Sequence, residues 1–193
     1  MAVEILFSLL IGIGLSATSG FRIFVPFLVL SIVSLTGHVE LAPGFDWIGT
    51  YPALIAFAVA TILEILAYFF PYVDNLLSAA GVPAAVIAGT VLSAAVFFEM
   101  GPLATWAVAI IAGGGSALAS KTASTAAHTG STTTTGGTAN PVLSAIESLI
   151  STFLAVLSVL VPILAVLLIA LAIYGAVRFY RRVKGRRSKL KAG

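Results

Sequence analysis

Four ionisable side chains stand inside otherwise apolar sequence: Arg22, Glu64, Lys121 and Glu147. An isolated charge against hydrocarbon costs roughly 3 kcal/mol on insertion scales, so each needs a partner or a role. Two cations and two carboxylates could bind an anion, pair with one another or carry protons. The cations could also simply run their stems out to a headgroup layer. Arg22 and Lys121 share a setting. Each closes a run of small residues that ends an apolar segment, Gly14-Leu-Ser-Ala-Thr-Ser-Gly-Phe-Arg22 and Gly113-Gly-Gly-Ser-Ala-Leu-Ala-Ser-Lys121, with Ser19 inside the first run. The other eight Lys and Arg all fall between Arg178 and Lys191.

Glu64 lies within Ala-Thr-Ile-Leu-Glu-Ile-Leu-Ala-Tyr, deep in an apolar run that begins near Tyr51. A carboxylate there must be protonated or paired. Glu147 lies two turns into a helix opened by Asn140-Pro141, where the macrodipole favours negative charge. The stretch Thr135-Gly-Gly-Thr-Ala-Asn-Pro141 has the grammar of a helix start. Asn140 is a preferred N-cap and proline a preferred first residue, while Gly136 and Gly137 would let backbone N–H groups approach a ligand. Asp74 and Asn75, after Pro71, could cap a helix or gate an ion. His38 and His128 lack carboxylate or thiolate companions at metal spacing, so no metal and no cofactor is expected. No nucleophile–base pair, P-loop or dinucleotide fingerprint is present, and nothing in the sequence speaks for an enzyme.

The elements that position these residues must be membrane helices. The chain is 60% hydrophobic and 9% charged, against about 25% charged in soluble domains, and its mean hydropathy is +1.13. Its solvent is therefore the bilayer. Residues 1–180 read as a single transmembrane domain and 181–193 as a basic tail. By the positive-inside rule the tail is cytoplasmic, which implies a multi-pass protein of a bacterial inner membrane whose tail touches anionic headgroups. No folded domain accompanies the tail, so nucleic acid is not expected as a partner. A homo-oligomer is compatible with the sequence.

A helix needs about 20 residues to cross a roughly 30 Å hydrocarbon core. Candidate segments are 3–19, 21–36, 51–71, 83–99, 103–120, 141–161 and 162–180. The fold class expected is all-α, a polytopic bundle of about six to eight membrane segments with broken or re-entrant helices. Gly12, Gly14, Gly20 and Pro26 should break the first pair and Pro162 the last. The Gly/Ala/Ser/Thr stretch 116–139 reads as a re-entrant or half-helical element, since small residues let helices approach closely. The halves 1–100 and 101–180 share an order of features that suggests an internal repeat: apolar run, break, lone cation, proline-opened helix with an acid, second proline. The spacings disagree, since Arg22 and Lys121 are 99 residues apart but Glu64 and Glu147 only 83.

Three blocks resemble a known family. Gly14-Leu-Ser-Ala-Thr-Ser-Gly-Phe-Arg-Ile-Phe-Val-Pro-Phe-Leu28, Glu64-Ile-Leu-Ala-Tyr-Phe-Phe-Pro-Tyr-Val-Asp-Asn-Leu-Leu77 and Thr134-Thr-Gly-Gly-Thr-Ala-Asn-Pro-Val-Leu-Ser-Ala-Ile-Glu147 occur in the order seen in bacterial integral membrane proteins of domain-of-unknown-function family 4126. Ser148 departs from the resemblance, which places a second acid after the glutamate. The family carries no settled activity. The functional expectation is thus a small transporter or channel-like protein for a polar or ionic solute, with Arg22, Lys121, Glu64 and Glu147 lining its path. The alternative is a membrane scaffold or lipid-interacting protein whose polar groups only join helices.

Overall fold

The computed structural model describes residues 2–67, 71–97 and 101–190, without the side chains of residues 2, 71–80, 176–177 and 179–190. Every regular element among these residues is helical. The chain runs through α1 (Ala2–Ser19), α2 (Phe24–Leu35), a 3₁₀ turn at Asp46–Gly49, α3 (Tyr51–Ala67) and α4 (Pro71–Val96). It continues through α5 (Pro102–Val108), a π-helical segment at Ala109–Gly114, α6 (Gly115–Thr135), α7 (Asn140–Leu160) and α8 (Pro162–Leu190). Two helical stretches are long and apolar enough to cross a membrane, Pro102–Thr135 and Asn140–Leu160; shorter apolar helices accompany them.

The breaks expected at Gly20 and Pro162 are present, while Gly12 and Gly14 lie inside α1 and Pro26 inside the first turn of α2. The first apolar run parts between Ser19 and Phe24, α3 opens at Tyr51-Pro52, and α7 gives way to α8 at Pro162. Two expectations are corrected. Residues 72–82 belong to α4, which passes through Pro83 without ending. One missing ladder bond does not terminate a helix that its neighbours hold. Residues 115–135 form a continuous helix rather than a half-helical element. Gly113 and Gly114 are absorbed in the π-helical segment upstream, which widens one turn without breaking the run. Alanine and the hydroxyl residues that bond back to their own helix then carry α6 on, as Thr122 does to the Leu118 carbonyl at 2.7 Å.

α1 is the central helix, packed against α4, α6, α7 and α8. Small residues set these contacts. Ser16 Oγ bonds the Gly89 carbonyl and lies 2.8 Å from Ser93 Oγ, tying α1 to α4. Ser19 Oγ donates to the Ser16 and Ala85 carbonyls at 2.7 and 3.3 Å. Gly14 packs on Ser158, and Ser151 Oγ donates to the Thr18 carbonyl at 3.2 Å, so α7 runs antiparallel to α1. Ser116 reaches the Ile13 carbonyl while Gly20 meets Ala117 and Lys121, so α6 runs parallel to α1. The apolar core of Leu15, Leu30, Leu92, Val96 and Phe97 lies mainly among α1, α2 and α4.

Candidate functional site

The site starts with a helix that cannot cap itself. α2 begins after Ile23, whose side chain offers no hydrogen-bond acceptor for the helix's first amides. Glu64, from the end of α3, takes that part. Its Oε1 accepts the Ile23 N–H at 2.8 Å and its Oε2 the Phe24 N–H at 3.0 Å. A carboxylate at a helix N-terminus is also favoured by the macrodipole. The turn that presents these amides arises because Thr18 and Ser19 bond back to the Leu15 and Ser16 carbonyls at the end of α1. Such local bonds compete with the helical ladder.

Arg22 occupies this turn and is 1% exposed. It crosses to α7, where Nε donates to Ser148 Oγ at 2.9 Å and Nη2 to the Ser144 carbonyl at 2.7 Å. Ser148 Oγ in turn donates to the Ser144 carbonyl at 2.9 Å.

Lys121 is also buried but lies in the middle of a helix rather than at a break. Its backbone packs on Gly20, where a Cβ would come within 2.6 Å of the Lys121 nitrogen and the Ala117 oxygen. Its stem passes over Gly81 of α4, where a Cβ would meet Lys121 Cε at 2.7 Å. At Gly20, where the close atoms are backbone, only glycine permits the approach. One and two turns further along α6, Ser124 Oγ donates to Glu147 Oε1 at 2.7 Å and His128 Nε2 lies 3.1 Å from Glu147 Oε2. Glu64 holds the amides of Ile23 and Phe24 next to Arg22, and Gly20, two residues before Arg22, packs on the Lys121 backbone. The two lone cations therefore face one buried cluster at one end of the bundle.

Arg22, Glu64, Lys121 and Glu147 are thus brought together. Ser19 lies beside them, occupied with the α1–α4 contact. Gly136 and Gly137 sit in the α6–α7 turn with φ of 63° and 87°, conformations that L side chains rarely adopt. Asn140 is the first residue of α7, and its side chain donates to Thr132 Oγ1 at 3.0 Å across that hairpin instead of capping. These three belong to the α6–α7 hairpin, and Pro141, next to Asn140, lines the same cleft as Arg22. The backbone of Asp74 and Asn75 lies in the first turns of α4, and their side chains are outside the described residues. Sequence reasoning missed Ser144, Ser148, Ser124 and His128. A period of four joins Ser144 to Ser148 and Ser124 to His128, yet it says nothing about which helix each pair faces.

A cleft of ≈ 270 Å³ opens between α3 and α7, with Arg22 in its lining. Ile65, Pro141, Ser144, Ala145, Ser148 and Leu149 line it with Arg22, and its accessible surface is almost wholly apolar. Ala17, Leu154 and Ile169 pack together, so their levels on α1, α7 and α8 coincide. At 1.5 Å per residue of helix, Ser148, which Arg22 contacts, lies about 9 Å beyond that level on α7 and Arg178 about 13 Å beyond it on α8. The cluster is therefore within about one helical turn (~5 Å) of the start of the basic tail. At the opposite end, the rings of Trp106 and Phe45 lie 6.3 Å apart and those of Trp47 and Phe57 5.9 Å apart, both pairs tilted and both tryptophans half-exposed.

A family model described as "Domain of unknown function (DUF4126)" matches residues 9–182, most of the chain. No curated protein and no solved structure matches the chain.

Proposed function

The chain belongs to the DUF4126 family, and we propose that it is a multi-pass membrane protein that binds a small polar or ionic solute at the Arg22–Glu64–Lys121–Glu147 cluster and moves it across the bilayer. One observation carries this reading. Four buried ionisable side chains from separate parts of the chain converge at one end of an apolar bundle. Charges inside a membrane are costly, and structures that keep several together use them for ligand or ion pathways. Arg22 is the group that meets the solute, because it alone of the four lines the cleft. Glu147, held by Ser124 and His128, supplies a counter-charge beside that path. The basic tail, on this reading, lies in the cytoplasm at the headgroups of the inner membrane.

A second reading has its own support. Both oxygens of Glu64 are spent on the backbone of α2, and the serines join helices pairwise. A scaffold that only holds its helices together would show the same bonds. Liposomes containing the purified protein separate the two readings. Uptake of radiolabelled phosphate, acetate and sodium is measured for the wild type and for Arg22→Gln. The transport reading expects flux of at least one of the three, lost in the variant while the protein still inserts and folds. Equal flux in variant and wild type, or none above empty liposomes, favours the scaffold.

A further inference from the structure

From Pro102 to Thr135 the chain is one helical stretch with a widened turn in it, the π-helical segment at Ala109–Gly114. A π turn holds one residue more than an α turn, and such turns are frequent at functional sites. Here it decides which residues face inward. Thr105, Ala109, Gly113 and Ala117 are all buried, at a constant spacing of four. A plain α-helix would instead keep positions 105, 109, 112 and 116 on one side. The extra residue brings Gly113 and Ala117 inward, and with them Ser120, Lys121 and Ser124.

The same sequence carries a second stripe, offset by one residue. Closing the π turn to α rotates everything downstream by about 100°, so each residue takes the place of its successor. Ser116, Ala119, Ser120, Ala123 and Ala127 then face the bundle. None is larger than serine, so the space now filled by Lys121, Ser124 and His128 has room for them. Lys121 moves to the place of Thr122 on the exposed face, where its stem can run out to the headgroups. Ser120 gives an independent sign. It is fully buried, and its hydroxyl has no hydrogen-bond partner among the described residues. A buried hydroxyl left bare destabilises the register that holds it there.

We propose that the π segment is a hinge at which α6 turns about its own axis, carrying Lys121 out of the buried cluster and back. The motion rests on the transport reading for its use, since withdrawing one of two cations opens the cluster to a solute. The present register is the major one, because in it Ser124 and His128 hold Glu147. The turned register gives up both contacts and is a minor state, populated at about 0.1–10%.

The test treats the full chain in detergent micelles with a small amine-acylating reagent, and modification of Lys121 is followed by mass spectrometry. The chain has no cysteine, so Ser120→Cys with a small thiol reagent reports position 120 alone. Turning exposes Lys121 but keeps position 120 buried, whereas local unfolding of α6 exposes both. Each rate is taken relative to the same group in the denatured chain. Lys121 is expected to react about tenfold faster than the thiol on that scale. Deletion of Ile111, which is 76% exposed, removes the extra residue and gives the present inward stripe plain α spacing. It should cut the acylation of Lys121 about tenfold without lowering the unfolding temperature. Lys121 no more reactive than the thiol, or equally reactive with and without Ile111, overturns the proposal. Where the deletion fails to insert, the first comparison decides alone. Turning without flux of any solute in liposomes retains the hinge and sinks the transport reading, and flux without turning does the reverse.

Discussion

Arg22 and Lys121 follow nearly the same run of small residues, yet the chain treats them differently. Arg22 stands in a turn between two helices and reaches across to α7. Lys121 stays inside a continuous helix and lies against Gly20, just after α1, and Gly81 of α4. The residues that follow decide the outcome. After Arg22 come Ile23, Phe24 and Pro26, so the chain starts a new helix that must be capped from elsewhere, and Glu64 does it. After Lys121 come Thr, Ala, Ser and Thr, which continue the helix and leave Ser124 and His128 on one face for Glu147. Each acid thus serves the residues just beyond one cation, while each cation contacts the other half of the chain. α3 enters the cluster by its C-terminal end and α7 by its N-terminal end. A shared order of features along the sequence is therefore not matched by a shared direction in space.

Removing either cation tests this contrast, and the largest effect belongs to Arg22. Arg22→Ala deletes a fully buried guanidinium and strands Ser144, Ser148 and the compensating charge around it. It should cost about 3–5 kcal/mol of stability, read by chemical unfolding in detergent. A loss under about 1 kcal/mol would mean the arginine reaches the headgroups and is not part of a buried site. Gly20→Val comes next. Its side chain would run into the backbone of Ala117 and Lys121, which cannot rotate away, so about 1–3 kcal/mol or more should be lost. A neutral result there would mean that α1 and α6 do not meet at Lys121. The smallest effect is on the Glu147 side. Ser124→Ala leaves Glu147 Oε1 without its hydroxyl donor and should cost about 1–2 kcal/mol. His128→Gln, which can still donate to Oε2, should cost less. The reverse order would place the histidine contact above the serine one.

Much of the frame was legible because proline and glycine act locally. The break before Phe24, the start at Tyr51-Pro52, the turn at Gly136-Gly137 and the division at Pro162 all follow from backbone chemistry within a few residues. Alanine, serine and threonine carry less information, since a segment rich in them is helical only if its neighbours make it so. That is why 116–139 reads as a re-entrant or half-helical element from sequence, while residues 115–135 are one continuous helix in the fold. The charged residues of the site were legible from their cost. Their partners were not, because pairing depends on helix register. Ser148 lies 126 residues from Arg22 and Glu64 lies 41 from Ile23, and no local pattern encodes such a match.

The central claim is that both lone cations belong to one cluster with Glu64. A double-mutant cycle between Lys121→Met and Glu64→Gln tests it most directly, with unfolding free energies measured in one detergent. The account predicts a coupling of about 0.5–3 kcal/mol between two residues 57 positions apart in sequence. Additive effects, within about 0.3–0.5 kcal/mol, would show that Lys121 and Glu64 do not sense each other and would contradict it.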